Sequence, residues 1–219
     1  MNLIHTLYEP AGPGPHPTIV TLHGRGANAF DLLGLAPYVC GGRFMLICPQ
    51  GPLETPIGPG AVGYAWYPLT HGGPPDVPAM TSARDQLEHF LEAALQRYPI
   101  DPKKLVALGF SQGGVMAYSL ALQKPDRFAA LAALSSWLPQ EMFSAPPSAQ
   151  SLPTLVHHGS RDQMINVERA QSSVEKLRDW RVPVTYREYD MGHEINGESL
   201  AHLSSWLEEK VLTPIILTG

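Results

Sequence analysis

Lys104-Leu105-Val106-Ala107-Leu108, then Gly109-Phe110-Ser111-Gln112-Gly113, then Val115-Met116-Ala117-Tyr118-Ser119-Leu120-Ala121-Leu122 follow one another almost without a break. The first run is short, branched and apolar, which reads as a buried strand; the last is long enough and apolar enough for a buried helix. Ser111 therefore falls at the corner between them, bracketed by glycines. A serine at such a strand-to-helix junction is held in a strained backbone, and its neighbours must be small for strand and helix to approach. This is the setting in which an unactivated hydroxyl becomes a nucleophile.

Working outward, branched apolar runs recur at Thr18 to Leu22, Phe44 to Cys48, Leu105 to Leu108, Phe128 to Leu134, Thr154 to His157 and Val184 to Tyr189. Helical spacing appears between most of them, as in Ala83, Leu87, Phe90, Leu91, Ala94 and Leu95. Further helices are expected from Val167 to Trp180, with Asn166 as a cap, and from about Gly197 to Leu212. Asn2 to Tyr8 suits an edge strand. Alternation of this kind predicts a mostly parallel sheet covered by helices on both faces, with ligands at the carboxyl ends of the strands. With 219 residues, the chain suits one α/β domain over residues 1–219.

Gly51 to Pro78 breaks the pattern with seven prolines and six glycines. A loop of that length in a compact domain is usually functional. Its aromatic residues Tyr64, Trp66 and Tyr67 have two readings: their rings wall a substrate pocket, or they pin the loop to the domain. His71, in the same loop, could at most touch substrate.

Composition excludes several classes. Fifteen Lys and Arg against twenty Asp and Glu leave a net charge of -5, with no basic stripe for a phosphate backbone, so nucleic acid is not expected as a partner. No apolar run reaches the roughly 18 residues that a spanning helix needs, and the first residues lack the pattern of a signal peptide, so stable membrane insertion is not expected and a cytoplasmic location is. Cys40 and Cys48 fit buried reduced thiols better than a disulfide scaffold. No histidine pair has a zinc-binding spacing, so no metal is expected.

A serine nucleophile needs an imidazole base, and the imidazole needs a carboxylate that fixes its tautomer. Asp162, in His158-Gly159-Ser160-Arg161-Asp162, and His193, in Met191-Gly192-His193-Glu194, both follow predicted strands and so fall at the same end of the sheet as Ser111. Among their rivals, Asp126 and Asp179 lie in helical surroundings and suit solvated surface. Asp190, three residues before His193, would have to bend back to meet the ring. His157 and His158 face opposite sides of a strand, and His89 and His202 lie on predicted helices. For a developing oxyanion, one donor is the backbone N–H of Gln112 at the start of the helix, helped by the helix dipole. The second is expected in the glycine-rich turn Leu22-His23-Gly24-Arg25-Gly26-Ala27-Asn28; a plain tight turn is the alternative.

Taken together, Leu22-His23-Gly24 with Gly26, Gly109-Phe110-Ser111-Gln112-Gly113-Gly114, His158-Gly159 with Asp162, and Met191-Gly192-His193-Glu194 resemble the α/β-hydrolase superfamily. Within it they resemble the phospholipase/carboxylesterase family, which includes small bacterial carboxylesterases and acyl-protein thioesterases. The resemblance implies an α/β-hydrolase fold with little or no cap domain and no cofactor. It implies Ser111 as nucleophile, His193 as general base and then acid, Asp162 as its orienting carboxylate, and the backbone N–H groups of Arg25 and Gln112 as the oxyanion hole. Ala65-Trp66-Tyr67-Pro68 looks like an aromatic stretch that such enzymes place near the acyl pocket; Trp66, Tyr67 and Met164 are the expected substrate contacts. Arg25 stands where many relatives have an apolar residue, and Ile165-Asn166 replaces the more usual valine-proline, so both bear on substrate choice.

The function so implied is a serine carboxylesterase acting on short- to medium-chain esters through an acyl-serine intermediate, with a small-molecule ester as partner. A thioester, a lysophospholipid or a lactone is the alternative substrate. The lactone is set lower because the dienelactone-hydrolase group typically carries a cysteine where this chain has Ser111. A non-catalytic binding protein on a hydrolase fold is the distant alternative. The apolar tail Thr213 to Leu217 suits either a homodimer contact or packing within the chain.

Overall fold

The computed structural model describes residues 3–69 and 74–213; His71 and all of the apolar tail beyond Thr213 lie outside them. Its centre is the strand that ends at the glycine-bracketed serine. The strands are β1 His5–Tyr8, β2 His16–Leu22, β3 Met45–Pro49, β4 Leu53–Gly58, β5 Ala61–Ala65, β6 Ile100–Phe110, β7 Ala130–Leu134, β8 Thr154–Gly159 and β9 Val184–Tyr189. The helices are α1 Val77–Arg97, α2 Gln112–Gln123, α3 Val167–Asp179 and α4 Gly197–Leu207.

Seven strands form one sheet in the order β1-β3-β2-β6-β7-β8-β9. Edge strand β1 runs antiparallel to β3, and the remaining neighbours are parallel. Alternate residues of each strand serve opposite faces. Val20, Leu22, Leu105, Ala107 and Val156 pack under α1, α2 and α3. Ile19, Val106, Leu108 and Leu155 instead meet Leu203, Trp206 and Leu207 of α4. Helices thus cover both faces, as an α/β hydrolase requires.

The register gathers the strand ends. Leu22 pairs with Gly109, Phe110 with Leu134, Leu134 with His157 and Gly159 with Tyr189. Chain order reverses direction in the sheet between β2 and β6, which is where ligands bind in open parallel sheets.

The expected long loop at 51–78 is a structured element over part of its length. β4 and β5 form an antiparallel hairpin through Pro59-Gly60, with Gly60 at a positive φ of 71°. Pro56 has no N–H to give, but a two-stranded ribbon has a free edge on which proline is tolerated. The hairpin is joined to the turn after β2: Gly26 N–H donates to Tyr64 O and Tyr64 N–H to Ala27 O, both at 2.8 Å. A Cβ on Gly63 would stand 1.9 Å from Gly26 O, so the two backbones meet with no room for a side chain. Cys40 and Cys48 are buried and unpaired. Among the described residues no helix is long and apolar enough to cross a membrane.

Candidate active site

Ser111 stands between β6 and α2 with φ 54° and ψ -121°. Non-glycine residues rarely adopt a positive φ, and holding one there costs on the order of 1–3 kcal/mol, which the surrounding fold must offset. Local packing does so: Ser111 N–H donates to Leu134 O at 2.9 Å, and Ser136 Oγ donates to Ser111 O at 2.8 Å. The flanking glycines answer to the same crowding. A Cβ on Gly109 would lie 2.1 Å from Gly113 O, and one on Gly113 would lie 1.9 Å from Leu22 O.

His193, in the loop after β9, places Nδ1 2.7 Å from Asp162 Oδ2. Its ring lies against Phe110, with centroids 4.8 Å apart. Nδ1–H donating to the carboxylate leaves Nε2 as the basic nitrogen. The Asp162 side chain is fully buried. Burial alone would raise its pKa. The N–H of Ile165, the His193 ring and the N–H of Met164 all favour the charged form, and together they hold the carboxyl below its ordinary value. Asp190 is paired instead with Arg161 at the surface, 2.6 Å away.

Around Gly24 to Asn28 the N–H of Gly26 is taken by Tyr64 O, and that of Ala27 by Gly24 O. The Arg25 N–H has no partner among the described residues. The Gln112 N–H is the first of α2, and a helix leaves its first N–H groups without intrahelical acceptors. Arg25, Gln112, Ser111 and His193 all line one cavity of about 560 Å³. It is a compartment in which a hydroxyl, an imidazole backed by a carboxylate, and two backbone donors share a boundary. Such a set is suited to addition at an acyl carbon.

Two of the expected substrate contacts fall elsewhere. Trp66 and Tyr67 are 1% and 3% exposed and belong to the core. Trp66 Nε1–H donates to His23 O, and its N–H donates to Gln112 Oε1, each at 2.9 Å. Both rings pin the segment after β5 to the domain by burial; for Trp66 the ring N–H is satisfied as well. Met164 is 77% exposed and does line the cavity. Arg25 lines it too, and its side chain donates to Thr55 Oγ1 of the hairpin at 2.8 Å.

Other cavity residues had no motif to announce them: Leu69, Trp137, Ile165 and Arg169. For Trp137 a signal existed, since it stands three residues after the expected strand ending at Leu134, at the sheet's ligand-binding edge. His158 was likewise set aside, yet its Nε2 lies 3.4 Å from Asp162 Oδ2 while hydrogen-bonding Ile165 O at 2.7 Å. His23 knits the turn together, with Nδ1 on Gly24 O and Nε2 accepting from Gly51 N–H. Gln112 contributes its side chain as well, bridging Trp66 N–H and Tyr67 O.

Against known proteins, residues 7–211 match the model of the phospholipase/carboxylesterase family. A probable carboxylesterase SOBER1-like of Arabidopsis thaliana is 28% identical over 69% of this chain, and the match spans 61% of that protein's length. Acyl-protein thioesterase 1 of Mycosarcoma maydis is 25% identical over 96% of this chain and 99% of its own. In fold, the Bacillus cereus carboxylesterase superposes with a TM-score of 0.82 at 20% identity, covering 94% of each chain.

Proposed function

The chain belongs to the phospholipase/carboxylesterase family, and from that premise we propose that it is a serine carboxylesterase. What carries the reading is the juxtaposition of a strained Ser111 with a His193 whose Nδ1 is bound to buried Asp162, on one cavity.

In this mechanism Ser111 Oγ adds to the ester carbonyl carbon as His193 Nε2 takes the hydroxyl proton. The carbonyl oxygen becomes an oxyanion facing the N–H groups of Arg25 and Gln112, and one such donor is typically worth about 2.7–4 kcal/mol. Collapse breaks the bond to the leaving alcohol, which departs with the proton from His193. A water then adds to the acyl-serine, again giving its proton to His193. Collapse of the second intermediate releases the acid and returns the proton to Ser111. Asp162 stabilises the imidazolium formed in each half.

Short to medium acyl chains suit a cavity of about 560 Å³. The thioester reading is favoured by the near end-to-end match to a protein named acyl-protein thioesterase 1. Turnover of matched oxyesters and thioesters of increasing chain length separates the two. The class itself is tested with an organophosphate and an activated short ester: wild type is labelled at Ser111 and shows an acyl-enzyme burst, and Ser111→Ala shows neither. Full activity in Ser111→Ala would overturn the proposal.

A further inference from the structure

The most unusual side chain on the cavity wall is a cation that makes no ion pair among the described residues. Arg169 sits in the first turn of α3, where its N–H donates to Asn166 O at 3.0 Å. That is the positive end of the helix, where a cation is disfavoured. Its guanidinium lies 4.0 Å from the centroid of the Trp137 ring, face on, and among the described residues it forms no ion pair. Its side chain is exposed to the solvent-open cavity; partial desolvation lowers its pKa, and Tyr67 and the Glu141 carboxylate offset part of that.

Two further donors nearby are unused. Trp137 Nε1–H and the Tyr67 hydroxyl are buried with no hydrogen-bond partner among the described residues, and Tyr67 is within electrostatic reach of Arg169. Among the described residues the cavity wall also carries Arg25, against one acidic residue, Asp31. A guanidinium held over the Trp137 ring offers planar, forked N–H donors, which suit an oxyacid.

We infer that Arg169, held on Trp137, forms an anion-binding subsite of the catalytic cavity, so that the preferred ester carries a carboxylate or phosphate group beside the bond to be cleaved. The inference rests on the esterase reading and names its substrate class. The anionic group has two possible places, the acyl part or the alcohol part, and the assay has an arm for each.

The first arm compares kcat/KM for 4-nitrophenyl butyrate with that for 4-nitrophenyl hemisuccinate, whose acyl chain ends in a carboxylate. The second compares glycerol monobutyrate with butyryl glycerol phosphate. Wild type is expected to favour the anionic member in one arm by about ten- to a hundredfold, the size of one charge-assisted hydrogen bond. Arg169→Gln should bring that ratio close to one, chiefly through KM, and Arg169→Lys should restore part of it. Lys124→Gln, a remote surface control whose partner is Glu88, should leave the ratio as in wild type. Added salt should reduce the wild-type preference. A ratio near one in both arms, or a preference that survives Arg169→Gln, overturns the inference while neutral-ester turnover, lost in Ser111→Ala, keeps the esterase reading. No turnover of any ester overturns both.

Discussion

At the scale of single residues, Asp162 shows how burial and hydrogen bonding set a chemical role. A carboxylate without solvent exposure is costly unless its lone pairs are satisfied. Here Oδ1 accepts from the N–H groups of Met164 and Ile165, and Oδ2 faces the His193 ring. Asp162→Asn keeps the shape and an acceptor for the two backbone donors, but turns an N–H toward His193 Nδ1. The imidazole must then present its other tautomer, with Nε2 protonated and unable to accept from Ser111. The expected result is a fall in kcat of about 10³- to 10⁴-fold with KM little changed. Steady-state kinetics alongside an unaltered circular-dichroism spectrum would check this, and a loss below tenfold would remove Asp162 from the proposed mechanism.

At the scale of elements, the hairpin β4–β5 positions the turn that carries the Arg25 N–H. It does so through the Gly26 and Tyr64 backbone bonds, the Arg25 to Thr55 bond, and the two side-chain bonds of Gln112 to the segment after β5. Gln112→Leu keeps the backbone N–H at the start of α2 but strands a buried Trp66 N–H and a Tyr67 carbonyl. Each orphaned group costs about 1–3 kcal/mol, so urea unfolding should show a loss of roughly 2–6 kcal/mol; a change under 0.5 kcal/mol would mean the bridge is not holding the segment. The same element marks the limit of the sequence. The parallel strands were legible because runs such as Thr18 to Leu22 are branched, mostly apolar and bounded by Pro17 and Gly24. The hairpin was not, because Pro56, Gly58, Pro59, Gly60 and Gly63 interrupt the alternation that would have signalled it. Nor could spacing show that Trp66 turns into the core while Arg169 turns to the cavity: that depends on how the segment after β5 and α3 dock, and both surroundings accept an aromatic or a long side chain.

For the molecule as a whole, the buried histidines set the acid limit of stability. His157, on β8, is almost fully buried, with Nε2 3.1 Å from the Tyr189 hydroxyl and Nδ1 unpartnered among the described residues. Burial, reinforced by His202 and Arg187, pushes its pKa from 6.5 down to about 3. Burial also lowers that of His23. An unfolded chain protonates these rings near 6.5 while the folded chain keeps His157 neutral until about 3. The unfolded state therefore binds more protons in this window, and stability must fall as pH falls through it. His157 alone should remove up to about 1.4 kcal/mol for each pH unit below 6.5. On the alkaline side the sign reverses: Tyr118 and Tyr67 are raised by burial, so unfolding releases protons and stability is lost above about pH 10. His157→Phe keeps an apolar ring of similar size against α4 and removes one titration, while Tyr189 retains His202 Nδ1 as a partner at 3.0 Å. Urea unfolding at several pH values from 7.5 to 4.5 should then show a gradient in ΔG shallower by nearly one proton's worth, and an unchanged gradient would show that His157 does not set the acid limit.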